Sequence, residues 1–177
     1  TKMGLSLSEY VVTEAGFGAD LGAEKFLNIK CVAGGLKPNA IVMVATIKAL
    51  RHHGGASKDE YNTPNLAYVK KGLPNLIKHI ENCQKYQIQP VVAINAFSND
   101  STAEIELVKS ACAELGIKAV LSEGWAKGGE GTTNLAKAIV ENIEEQKANF
   151  QPLYDWALPV KEKIEKIAKE IYGIWND

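Results

Sequence analysis

The chain has 177 residues, 46% of them hydrophobic and 23% charged, with 20 Lys and Arg against 21 Asp and Glu. That length suits about one ordinary domain, burying roughly 70% of the surface its unfolded chain exposes. Balanced charge and a pI near 6.3 exclude the basic field that gathers nucleic acid or coats an anionic membrane, no apolar run nears the roughly 20 residues of a membrane helix, and no secretory leader opens the sequence.

Thr1 is read as a processed or truncated start of a soluble protein. Tyr10-Val-Val-Thr13 is a short apolar run and the first expected strand. It leads into Glu14-Ala-Gly16-Phe-Gly18-Ala-Asp20-Leu-Gly22. The GxGxxxG spacing is one residue off the dinucleotide fingerprint, and no acidic residue ends the next strand to hold a ribose, which disfavours a nicotinamide cofactor. Two readings stay open. Glu14 and Asp20 could position Mg²⁺ waters and a phosphate among glycines that let backbone amides approach an anion; or the segment is a tight turn with solvated carboxylates.

Ala40-Ile-Val-Met-Val-Ala-Thr46 is the second expected strand, and His52-His53 before Gly54-Gly55 read as a helix end. Pro74 is expected to open a helix whose Leu76, Ile77, Ile80 and Cys83 share one face. His79 and Cys83 have a spacing that permits a metal pair, but Cys83 belongs to the apolar stripe, and no metal site of clustered side chains is expected. Pro90-Val-Val-Ala-Ile-Asn95 and Ile117-Lys-Ala-Val-Leu121 make four strands in all. Short Val and Ile runs, apolar on both faces, belong to parallel strands covered by helices on each side.

Ser101-Thr-Ala-Glu104 has capping-box spacing and opens a helix with Ile105, Val108, Ala111, Cys112 and Leu115 on one face and Gly116 as its stop. After Thr132-Thr133 a further stripe runs through Leu135, Ala136, Ile139, Val140 and Ile143. Alternating strands and helices spell an α/β fold with an open, mostly parallel sheet flanked by helices. Residues 1–149 are read as this α/β portion, and 150–177 as an aromatic connector (Phe150, Pro152, Tyr154, Trp156, Pro159) with a C-terminal helical tail. That tail helix turns Val160, Ile164, Ile167, Ala168 and Ile171 inward, pairs Glu162 with Lys166 and Glu165 with Lys169 outward, and is followed by Trp175. Cys31, Cys83 and Cys112, odd in number and without a CxxC, read as free thiols of a reducing cytoplasm.

Sites in open α/β sheets gather beyond the carboxyl ends of strands. Asn95-Ala-Phe97-Ser-Asn-Asp100 follows the third run, and Ser122-Glu-Gly-Trp125-Ala-Lys-Gly128-Gly-Glu-Gly131 the fourth. Asn95 and Asp100 suit the reading of a base edge. Phe97 and Trp125 could sandwich a flat ring, or be two lids over the core. Neither a GK[ST] phosphate loop nor a GxSxG elbow occurs in these residues.

With those residues collected, the chain resembles the formate–tetrahydrofolate ligases. The matching blocks are the stretch from Tyr10 through Glu14, Gly16, Gly18 and Asp20 to Phe26, then Ile29-Lys-Cys31, Lys71-Gly-Leu-Pro-Asn-Leu76 with His79-Ile-Glu-Asn82, Pro90 to Phe97, Trp125 to Gly131 and Ile167-Ala-Lys-Glu-Ile-Tyr-Gly173. The resemblance implies a P-loop NTPase-like half and an ATP-dependent ligase of one-carbon metabolism. ATP phosphorylates formate to formyl phosphate, and N10 of tetrahydrofolate attacks the formyl carbon, releasing phosphate. It further implies Mg²⁺, room for a monovalent cation, and a homo-oligomeric full-length enzyme whose P-loop lies outside these residues, so that the 177 residues by themselves are expected to be inactive. Phe97 and Trp125 resemble the pair that stacks on the pterin. Asn95 and Asp100 fall where related enzymes read the base, although Asn-Ala-Phe-Ser-Asn-Asp departs from NKxD. Glu14, Gly16, Gly18 and Asp20 resemble a loop that contacts formate, metal or phosphate. Two readings compete: a non-catalytic binding module for a flat heteroaromatic ligand, and an assembly piece with Trp156 and Trp175 in an interface.

Overall fold

In the computed structural model, which describes residues 1–174, three of the four apolar runs form strands: β1 (Ile41–Ala45), β2 (Pro90–Asn95) and β3 (Ala119–Ser122). They lie parallel in the order β1-β2-β3, with Ile41 opposite Pro90 and Asn95 opposite Ser122. β2 is central, and Val91 to Ile94 are almost wholly buried, as expected of a strand covered on both faces. Pro90 stands at its first residue, where a missing N–H does least harm to the ladder.

The first run, Tyr10 to Thr13, is a correction. Residues 10–13 form neither strand nor helix, with Val12 95% exposed. β-branched residues favour extended backbone, but a strand exists only where a neighbour supplies ladder partners. None does so for this run among the described residues.

A six-residue helix α1 (Lys2–Leu7) precedes the coil. Residues 18–34 form one helical stretch, in which α-turns α2 (Ala23–Lys25) and α3 (Val32–Gly34) alternate with π-turns at Gly18–Gly22 and Phe26–Cys31. Two helices, α4 (Ile47–His53) and α5 (Leu66–Gln84), separate β1 from β2. α5 begins well before Pro74: the Asn65 side chain accepts from the N–H groups of Ala67 and Tyr68, and Pro74 sits inside the helix on an exposed position, where its lost hydrogen bond is tolerated.

α6 (Thr102–Glu114) starts at the expected capping box on Ser101 and Glu104 and ends before Gly116, whose φ of +68° is the left-handed stop. A short helix α7 (Gly124–Lys127) follows β3, and α8 (Thr133–Gln146) completes the layer. The tail is α9 (Val160–Ile167), prolonged as a π-turn through Ala168–Tyr172. On its surface Lys161 pairs with Glu165 at 3.7 Å; Trp175 lies outside the described residues.

The main core joins Met43, Ala45, Val92 and Ile94 of the sheet to Leu50 of α4, Val69, Leu73, Leu76 and Ile80 of α5, and Val108 and Cys112 of α6. A second core holds Leu27, Cys31, Tyr86, Ile88, Phe150 and Ile171, so the connector and tail pack on the 18–34 stretch. No helix among the described residues is long and apolar enough to cross a membrane.

Candidate functional site

Register decides what meets at the carboxyl edge of the sheet. Because Asn95 pairs with Ser122, the segments leaving β2 and β3 start side by side. Phe97 and Trp125 are neighbours there, with ring centroids 6.3 Å apart and planes inclined at 50°. Both are accessible: Phe97 is 40% and Trp125 80% exposed. They are not lids sealed over the core. A flat ring inserted between two others needs about 7 Å, two van der Waals contacts, and near-parallel planes, so admitting one requires the two rings to separate and turn out of their 50° tilt.

The two loops are held differently. Glu123 N–H donates to Gly131 O at 3.1 Å, and a Cβ on Gly131 would come within 2.5 Å of Glu123 O, so this closure requires glycine. Gly128 turns the chain at φ +59°, and Lys127 pairs with Glu123 at 2.7 Å. Asn95 is half-buried at the end of β2. Asp100 is buried and committed: Oδ2 accepts from the Phe97 N–H at 2.9 Å, and Oδ1 lies 3.3 Å from Arg51 Nη2.

Arg51, absent from the expectations above, is the hub of this edge. It is 1% exposed and lies in α4 with the buried Ile47 and Leu50, the stripe of an apolar helix face. Its Nε and Nη2 donate to the two oxygens of Glu104 at 2.9 and 2.7 Å, and its Nη1 donates to Tyr61 O at 2.8 Å. Glu104 also accepts from the Asn65 N–H and from both the N–H and hydroxyl of Ser101. Burial alone would raise the Glu104 carboxyl; the bonds from Arg51, Ser101 and Asn65 outweigh it and hold the group at about 2. An arginine inside an apolar stripe, followed downstream by a capping-box glutamate, was the available sequence signal.

The glycine segment lies elsewhere on the 18–34 stretch. Glu14, Gly16, Lys25 and Lys30 are among the residues lining an open cleft of about 330 Å³, with Phe26 and Ile29 as apolar wall. Lys30 Nζ is 3.4 Å from Thr13 Oγ1 and 4.3 Å from the Phe26 ring centroid. A Cβ on Gly22 would overlap the Gly16 carbonyl, and Gly18 adopts φ +82°, so the turn depends on both glycines. Asp20 Oδ2 accepts from the Tyr172 hydroxyl at 3.1 Å, which ties the loop to the tail.

The remaining candidates are structural. His52 Nδ1 meets the Tyr61 hydroxyl at 2.6 Å at the end of α4. Cys83 is buried in the main core, where desolvation pushes its thiol up to about 12. Among the described residues no group of three or more His, Cys, Asp or Glu side chains could hold a metal ion.

Comparison with known families agrees with the blocks named above. The family model described as formate–tetrahydrofolate ligase matches residues 1–176. The chain therefore belongs to the formate–tetrahydrofolate ligase family.

Proposed function

We propose that the carboxyl edge of the sheet grips the pteridine ring of tetrahydrofolate between Phe97 and Trp125, for the transfer of a formyl group made from formate and ATP. The observation that carries this reading is the exposed ring pair at 6.3 Å on adjacent strand ends. Stacking on two faces contributes about 1 kcal/mol per ring beyond the area buried. The half-buried Asn95 side chain is assigned to the edge of the nucleotide base, and Asp100 serves the same edge by fixing the turn. The cleft of Glu14, Gly16, Lys25 and Lys30 is assigned to the small anions, formate or phosphate, because two lysines and a glycine turn supply positive charge and close backbone approach. Gly18 and Asp20 shape that turn.

In this reading ATP gives its terminal phosphoryl to a formate oxygen, N10 of tetrahydrofolate attacks the formyl carbon, and phosphate leaves. Phosphoryl transfer is chiefly positioning and charge neutralisation. No GK[ST] stands in these 177 residues, so we assign them binding and not turnover, in a reducing cytoplasm that suits three buried thiols.

Calorimetric titration with tetrahydrofolate tests the assignment. Phe97→Ala and Trp125→Ala should each weaken binding about tenfold, the loss of one stacking face and its buried area. Equal affinity in both variants and the parent chain removes the stacking role.

A further inference from the structure

We infer that Arg51 and Asp100 form a buried positioning pair for Phe97, an inference that rests on the folate-stacking reading above. Phe97 lies two residues past the end of β2, in a surface segment that would by default be mobile. Here it is not left to itself. Asp100 N–H donates to Phe97 O at 3.0 Å and Asp100 Oδ2 accepts from Phe97 N–H at 2.9 Å, so the residue that carries the ring is bonded at both of its backbone groups. Arg51 then fixes the far side of the turn. Its Nη2, which donates to Glu104 Oε2 at 2.7 Å, also donates to Asn99 O at 3.2 Å and lies 3.3 Å from Asp100 Oδ1, while Nε and Nη1 are anchored on Glu104 Oε1 and Tyr61 O.

The side chains of Arg51 and Asp100 are 1% and 2% exposed. Burying such charges is costly, and apolar replacements of similar volume are often as stable or more so. A turn that merely joined a strand to a helix could be closed by its own backbone. What the pair supplies is a ring whose backbone is set before the ligand arrives, which lowers the ordering cost of binding. The planar fork of arginine reaches two carboxylates and two backbone carbonyls at once.

The test is calorimetric titration of tetrahydrofolate into the full chain and into Phe97→Ala, Asp100→Ala, Asp100→Asn and the double variant Phe97→Ala/Asp100→Ala, with melting followed by circular dichroism. Asp100→Ala should bind about fivefold more weakly. Asp100→Asn, which keeps an acceptor for the Phe97 N–H, should recover most of that loss. The double variant should bind no more weakly than Phe97→Ala alone, because the pair acts only through the ring. Should Asp100→Ala fail to fold, Arg51→Lys takes its place, keeping the charge and losing the fork, with a several-fold loss expected. If Phe97→Ala weakens binding while Asp100→Ala or Arg51→Lys binds like the parent, or if the double variant shows additive losses, positioning is overturned and stacking stands. If Phe97→Ala itself binds like the parent, the folate-stacking reading falls and this inference with it.

Discussion

The guanidinium of Arg51 and the carboxylate of Glu104 meet in a two-point contact at 2.9 and 2.7 Å, joining α4 to the first turn of α6. Glu104 is held at about 2 against an ordinary 4.5. A group whose value is depressed by folding adds stability above its unfolded value and loses it as pH falls through the folded one. The pair therefore contributes fully above about pH 4.5 and progressively less toward pH 2. Glu104→Gln, which leaves Asp100 at 3.3 Å as the remaining carboxylate facing the buried Arg51 guanidinium, should lower stability by about 1 to 3 kcal/mol at pH 7. Relative to the variant, the parent should lose stability more steeply between pH 5 and pH 3. Urea unfolding at the three pH values measures both effects, and parallel acid limbs would show that Glu104 is not the titrating group.

Gly72 of α5 packs against the Leu50 carbonyl of α4. A Cβ on Gly72 would overlap Leu50 O, and one on Gly54 would overlap Tyr68 O, so at each contact a glycine lies directly against the facing backbone. Rigid backbone cannot yield to a methyl group as a flexible side chain can, and overpacking costs about 1 to 3 kcal/mol or more. Gly72→Ala should destabilise by at least that much despite the better helix propensity of alanine. Gly129→Ala is the control: its backbone is right-handed helical at φ −60° and nothing lies within 4 Å of the added carbon. Thermal melts of the two variants should separate widely, and similar melts would show that the helices can slide apart.

How far this fold could be read in advance depended on whether the signal was local. β1, β2 and β3 announce themselves by Val and Ile runs, and α6 by Ser101 and Glu104 at its cap, because pattern and cap lie within a few residues. The nearness of Phe97 and Trp125 was legible as well, since parallel neighbours deliver their following loops to one edge. Residues 10–13 have the same composition as a strand, but pairing is a tertiary property, and there it is missing. The start of α5 was hidden because Asn65 caps the helix upstream while Pro74, a common first-turn residue, stands in its interior. Arg51 was hidden most thoroughly. Its helix position reads as apolar, and its partners come from Tyr61, Asn99, Asp100 and Glu104, which only the folded chain assembles.

Asn28 should show how the tail is secured. It is fully buried, and its amide donates to Glu24 Oε1 and to the Tyr86 hydroxyl, each at 3.0 Å, while its Oδ1 accepts from Leu153 N–H at 2.8 Å. Its backbone carbonyl accepts from Trp156 Nε1 at 2.7 Å. Burial first, and then the nearby Glu24, push the Tyr86 hydroxyl upward, so that group stays protonated. Asn28→Ala strands the Leu153 N–H and removes the amide donor that Glu24 and Tyr86 share; each buried group left unpaired costs about 1 to 3 kcal/mol. The expected loss is about 2 to 4 kcal/mol in urea unfolding, with faster proteolysis in the connector at 150–158, since the Leu153 anchor is gone. Asn28→Asp should be worse than alanine at pH 7, because it sets a second carboxylate against Glu24 in a buried site. A connector that stays as resistant to protease as the parent's, in a variant of unchanged stability, would mean that Phe150 and Ile171 hold the tail through the second core alone.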